Sequence, residues 1–337
     1  MRGFLPDAAA RSVPYALGAT LGYAADRVFG DPRRGHPVAG FGRAAAALEA
    51  RLWRDTRRAG VLHTALCVGA TVAAAAVATA ATRTRVSRRG PAGCTGGVGG
   101  QAPGIVLTAL ATWAVLGGAS LRREALGIAH ALRSHDLEDA RRRLPRLCGR
   151  DPQALGEADI ARAVVESVAE NTSDAVVGAL VWGALGGVPG LVGFRAVNTL
   201  DAMVGHRSAR YLRFGWAAAR LDDLVGGPGA RLTAALATFA GPDPRAARRV
   251  WRADGPRHPS PNAGPVEAAF AGALGLRLGG ELSYGGRSEH RAVLNPAGRP
   301  PEVRDIERAV RLSGRVCLLA LLTTTGAALL PTEASPA

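Results

Sequence analysis

The chain has 337 residues and a formal net charge of +15, from 42 Lys+Arg against 27 Asp+Glu. Every basic residue is arginine, which excludes a Walker A lysine, a pyridoxal Schiff base (hence no PLP) and a lysyl nucleophile. Aromatics make up only 5% and are scarce among the arginine clusters, so no nucleic acid is expected as a partner. The basic balance reads instead as attraction to anionic lipid headgroups or to an anionic substrate.

In chain order, the first apolar stretch is 12-29. It resembles the apolar region of a signal peptide, but the arginine excess follows it, so it is read as an uncleaved membrane segment. A turn-rich loop comes next, Asp31-Pro32-Arg33-Arg34-Gly35-His36-Pro37, where carboxylate, guanidinium and imidazole could hold a phosphate or a divalent metal. The stretches 61-81 and 104-121 are uncharged over lengths suited to spanning helices. If they form a hairpin, the arginine-rich segments on either side share one face, which the positive-inside rule makes cytoplasmic. The cysteines lie far apart with no CxxC, so neither a disulfide framework nor a zinc ribbon is expected.

Glu166, Glu170 and Asp174 recur at i, i+4 and i+8, which puts them on one face of a helix at the edge of an apolar run. Three like charges there want a cation, and oxygen ligands suit Mg²⁺. The run 175-204 contains Gly186-Gly187-Val188-Pro189-Gly190 and is expected to be a broken or re-entrant element. Asp201 sits in an apolar setting, a functional signal at membrane depth. The pair Asp222-Asp223 follows, and Gly226-Gly227-Pro228-Gly229 reads as a turn. In His258-Pro259-Ser260-Pro261-Asn262-Ala263-Gly264-Pro265-Val266-Glu267, the prolines impose an extended path that displays His258, Ser260, Asn262 and Glu267, with a helix starting near Pro265. A last membrane segment is expected at 314-331. The whole, 1-337, reads as one all-α, polytopic membrane domain with four to five membrane segments.

The strings GDPRRGHPV, VESVAENTSDAVVGAL, NTLDAMVGH, YLRFGWAAARLDDLV, HPSPNAG and EAAFAGALGLRLGG resemble the CobD/CbiB family of cobalamin biosynthesis, in family order over nearly the whole chain. Departures from the family pattern fall at Ala175, Ala202, His206, Gly226–Gly229 and Pro265. The resemblance implies an ATP-dependent acid–amine ligase in the cell membrane, with ATP and Mg²⁺. Its substrates would be the corrinoid adenosylcobyric acid and (R)-1-amino-2-propanol O-phosphate, or aminopropanol itself. The product would be adenosylcobinamide phosphate or adenosylcobinamide. No P-loop or ATP-grasp signature locates the nucleotide.

On this reading His258, Asp201, Asp222 and Asp223 are catalytic candidates. Asp31, Arg33, His36, Asn171, Arg231, Ser260 and Asn262 are candidates for substrate contact. Glu166, Glu170, Asp174 and Asp201 are candidates for metal. All are expected to line one site, and a homo-oligomer is left open. The competing reading is a transporter or corrinoid-binding protein without catalysis, disfavoured by the lack of an internal repeat.

Overall fold

The computed structural model describes residues 8–31, 35–87, 98–284 and 287–330. It is a polytopic helical membrane protein. Four helical stretches are long and apolar enough to cross a membrane: Arg57–Arg83, Gln101–Arg133, Glu157–Gly205 and Val303–Leu329. The 12-29 segment forms the helix Ala8–Phe29 but is not among the four. The backbone gathers into two compact units, each assembled from separate stretches of chain. Unit 1 takes Met1–Leu116, Ala179–Val225 and Leu321–Ala337; unit 2 takes Gly117–Gly178 and Gly226–Ala320.

In unit 1, Ala8–Phe29 packs along Val98–Val115. Gly18 and Gly22, one turn apart, meet Ile105, Thr108, Ala109 and Thr112 so closely that a Cβ at either position would collide. This is the small-residue seam by which helices associate in lipid, where apolar burial alone gives no drive. A second centre packs Leu200, Val204, Phe214 and Ala218 against Ala45 and Cys67.

The Gly-Pro run breaks its helix as its composition predicts. Gly187 adopts φ 62°, ψ −150°, a region closed to side chains. The halves then fold back: Gly190 lies against the Trp182 carbonyl, and Leu191 lies against Gly183. Eight residues along a straight helix would stand about 12 Å apart, so this contact requires a reversal. Trp182 Nε1 donates to the Val225 carbonyl at 2.7 Å and holds one arm of the turn.

In unit 2, the helix Ala263–Leu274 is buried on nearly every side. Around it pack Pro244–Asp254, Glu157–Thr172 and an antiparallel hairpin, Leu278–Tyr284 with Arg287–Leu294. The hairpin is absent from the all-α expectation; it is short, and a bulge between Leu278 and Gly280 interrupts its period. The Gly226–Gly229 run is not a turn but the middle of the helix Trp216–Ala240. Its glycines serve close approach: Gly229 meets Gly178, and Gly226 meets the Asn262 side chain. Cys67, Cys148 and Cys317 are free thiols; Cys94 lies outside the described residues.

Gly187→Ala should destabilise the protein by about 1–3 kcal/mol, because alanine cannot adopt this backbone without strain. Gly186→Ala, with nothing within 4 Å of the new methyl, should not. Thermal unfolding of the two variants in detergent measures the difference.

Candidate functional site

The centre of unit 2 is a set of buried charges. Glu166 comes from the helix Glu157–Thr172 and is 4% exposed. Its Oε2 accepts from Arg150 Nη2, itself buried, and its Oε1 accepts from the Gly279 amide at 2.7 Å. One turn earlier, Arg162 donates to the carbonyls of Gly279 and Glu281, both at 2.9 Å. Two residues of one helix therefore clasp the hairpin backbone. The positive φ of Gly279 (76°) supports this, since any Cβ there would collide with the Ala292 carbonyl. A buried carboxylate in this position needs its cation, and removing one partner of such a pair leaves an uncompensated charge.

Glu267 is 3% exposed on the central helix. Burial pushes its carboxyl well above the usual carboxylate range, and the charges of Glu166 and then Glu170 push it further, against the pull of Arg291 and Arg150. His258 Nε2 lies 3.9 Å from Glu267 Oε1. The Ser260 amide donates to His258 Nδ1 at 3.1 Å, and the other ring nitrogen, Nε2, faces Glu267. The prolines do this: they extend the chain after His258 so that the amide two residues on reaches back to the ring. Burial likewise raises the nearby Cys148 thiol, so it stays protonated.

The other unit 2 candidates have defined tasks. Ser260 Oγ accepts from the Asn262 and Ala263 amides at 3.3 and 3.1 Å and so starts the central helix. Asn262 Oδ1 accepts from Arg231 Nη1 at 3.0 Å, which orients an otherwise exposed guanidinium. Asn171 Nδ2 donates to the Ser167 carbonyl at 2.9 Å within its own helix. Asp174 falls in a π-helical segment, Ser173–Val177, rather than in the regular helix its spacing suggests. Such wide turns occur mostly as single insertions within α-helices, frequently at functional sites.

Unit 1 holds the remaining candidates. Asp201 opens a second π segment, Asp201–Gly205, whose Gly205 packs onto the Asp201 carboxylate. Asp223 and His206 lie within electrostatic reach of Asp201, so unit 1 gathers two of its acids and an imidazole the sequence reading left out. Asp222 is half-buried beside Asp223. His36 caps the helix Pro37–Leu52, its Nδ1 accepting from the Val38 amide at 3.2 Å. Asp31 is half-buried ahead of that helix. Arg33 lies outside the described residues.

Among the described residues, no group of three or more His, Cys, Asp or Glu side chains converges to hold a metal ion. Both oxygens of Glu166 are engaged by Arg150 and Gly279. The sequence reading missed Arg150 and Arg291 as site residues, and neither carried a local signal; Glu267 it counted among the groups the proline-rich loop displays, without assigning it a role.

A family profile described as CobD/Cbib protein matches residues 19–313. The chain belongs to the CobD/CbiB family. A protein named cobalamin biosynthesis protein CobD from Mycobacterium tuberculosis is 52% identical over 306 residues, 88% of this chain and 91% of its own length. Proteins of the same name from Geobacter metallireducens and Rhodobacter capsulatus are 41% and 39% identical, covering 88% and 84% of this chain and 92% and 86% of their own lengths. No solved structure matches.

Two predictions follow from the buried charges of this CobD/CbiB chain. Glu166→Gln should destabilise by about 3–5 kcal/mol, whereas the double replacement Arg150→Met with Glu166→Leu should lose much less, because no charge is then stranded. Chemical unfolding of the three proteins gives the comparison. For Glu267, the raised carboxyl of the folded state contributes stability that is complete below the unfolded value of about 4.3 and fades as pH rises through the folded value. Glu267→Gln should flatten that loss in a series of unfolding curves from acid to neutral pH.

Proposed function

We propose that this CobD/CbiB protein forms an amide between a propionate carboxylate of adenosylcobyric acid and (R)-1-amino-2-propanol O-phosphate or free aminopropanol, driven by ATP. The observation that carries the reading is the buried His258–Glu267 pair, held beside Glu166 and Glu170. In ATP-driven amide synthesis the carboxylate oxygen attacks the γ-phosphorus, and the P–O bond to ADP breaks, leaving an acyl phosphate. The amine nitrogen then attacks the acyl carbon, and inorganic phosphate departs. The nitrogen must shed a proton to form the neutral amide, and the His258 imidazole, beside a Glu267 carboxyl that favours its own protonated form, is suited to take it.

Arg231, oriented by Asn262, supports recognition of the phosphate of the amine substrate. Arg291 and Arg150 keep the acidic centre from being a field of like charge only. Magnesium, in this reading, arrives on the nucleotide's own phosphates, and no step is assigned to it. The nucleotide, the amide product and residence in the cell membrane with the arginine-rich segments cytoplasmic all belong to this proposal.

The test is a turnover assay of purified protein with ATP, adenosylcobyric acid and each amine in turn. Phosphate release that requires both organic substrates supports ligation. Corrinoid binding or transport without ATP consumption would replace it with the non-catalytic reading. Arg231→Gln should raise KM for aminopropanol phosphate roughly ten-fold or more, as expected for a lost charge-assisted contact, and leave KM for aminopropanol nearly unchanged.

A further inference from the structure

The helix Pro244–Asp254 has two faces of opposite character. Ala247 and Val250 are buried against the central helix of unit 2. Arg245, Arg248, Arg249 and Arg252 recur at i, i+3, i+4 and i+7 and are all exposed. They form one stripe along the outer face. Among the described residues, none of the four makes an ion pair or a side-chain hydrogen bond. The arginines of another short helix, Leu137–Arg143, are different. Arg141 pairs with Glu138 at 3.1 Å, and Arg142 and Arg143 pair with Asp139 at 2.6 and 2.7 Å. Four like charges on adjacent turns weigh against a helix unless an anion screens them.

The position of the stripe selects the anion. The helix Val303–Leu329 bears its last charged side chain at Arg315, and Val316–Leu330 has none. The level of Arg315 is therefore the boundary between water and hydrocarbon on that span. Leu318, just beyond it, is exposed as a lipid-facing residue would be. Arg315 Nη1 donates to the Ala240 carbonyl at 3.4 Å, which sets the end of the helix Trp216–Ala240 at the same depth. Phe239, beside it, is 76% exposed, an aromatic ring at the height where such rings favour the interface. The stripe begins five residues after Ala240, within about 17 Å of chain.

We propose that Arg245, Arg248, Arg249 and Arg252 form a docking face for the anionic phospholipid headgroups of the surrounding bilayer, fastening unit 2 to the membrane surface through its central helix. The partner is the lipid phosphate surface rather than a dissolved anion, because the stripe is a row that starts five residues beyond the Ala240–Arg315 contact at the boundary and is not a convergent pocket.

The experiment uses the full chain in nanodiscs, with hydrogen exchange followed in peptides that cover 241–257. Discs of phosphatidylcholine alone are compared with discs containing phosphatidylglycerol, at low and high salt. Phosphatidylglycerol should slow exchange in this helix at low salt, and high salt should remove the effect. Each Arg→Gln replacement should reduce the protection about five-fold, while exchange in the central helix 263–274 of unit 2 stays slow and reports that the fold is intact. Equal exchange in both lipids would overturn the proposal. So would unchanged protection in the four-fold Arg→Gln variant. Protection produced in phosphatidylcholine discs by added ATP, and not by phosphatidylglycerol, would also overturn it in favour of a soluble anion.

Discussion

Glu166 cannot be buried alone. A carboxylate with 4% of its surface exposed is tolerable in unit 2 only because Arg150 meets one oxygen and the Gly279 amide meets the other. Much of unit 2 follows from that requirement. The hairpin must come close enough to lend its backbone, Gly279 must take a conformation open to glycine, and Arg162 secures the same backbone from one turn away. The fixed charge then acts on its neighbour. Glu267, unable to ionise easily beside Glu166 and Glu170, becomes a proton-holding group facing His258. A structural ion pair and a carboxyl that resists ionisation are thus two consequences of one buried acid.

The acidic face gains a partner that its spacing does not name. From spacing alone, Glu166, Glu170 and Asp174 ask for a shared cation. In the folded chain the cation for Glu166 is a guanidinium, and the helix widens into a π segment at Ser173 just where the third acid falls. A like-charge pattern on a helix states that compensation is needed. It does not say whether a metal or an arginine distant in sequence supplies it.

What could be read from the sequence was whatever depends on neighbours along the chain. The apolar runs give the spanning helices, Gly187 and Pro189 give the break, and the prolines after His258 give the extended turn that fixes its ring. The family strings gave the membership that the profile match bears out. What could not be read depends on tertiary partners. Gly226–Gly229 carries every local mark of a turn, yet the packing of Gly229 on Gly178 and Gly226 on Asn262 keeps it helical. The π segments at Ser173–Val177 and Asp201–Gly205 have no composition of their own. Arg150 and Arg291 look like two more arginines in a chain with 42 Lys+Arg positions, and only their place near the buried carboxylates distinguishes them.

The central claim is that burial and the charges of Glu166 and Glu170 hold the Glu267 carboxyl protonated above the usual carboxylate range. Infrared spectroscopy of the full-length protein in lipid reads this directly, by following the carbonyl band of a protonated carboxyl in wild type and Glu267→Gln as pH rises past that range. The account predicts a band in the wild type that the variant lacks. Identical spectra in that region, with the wild-type carboxylates all ionised, would contradict it.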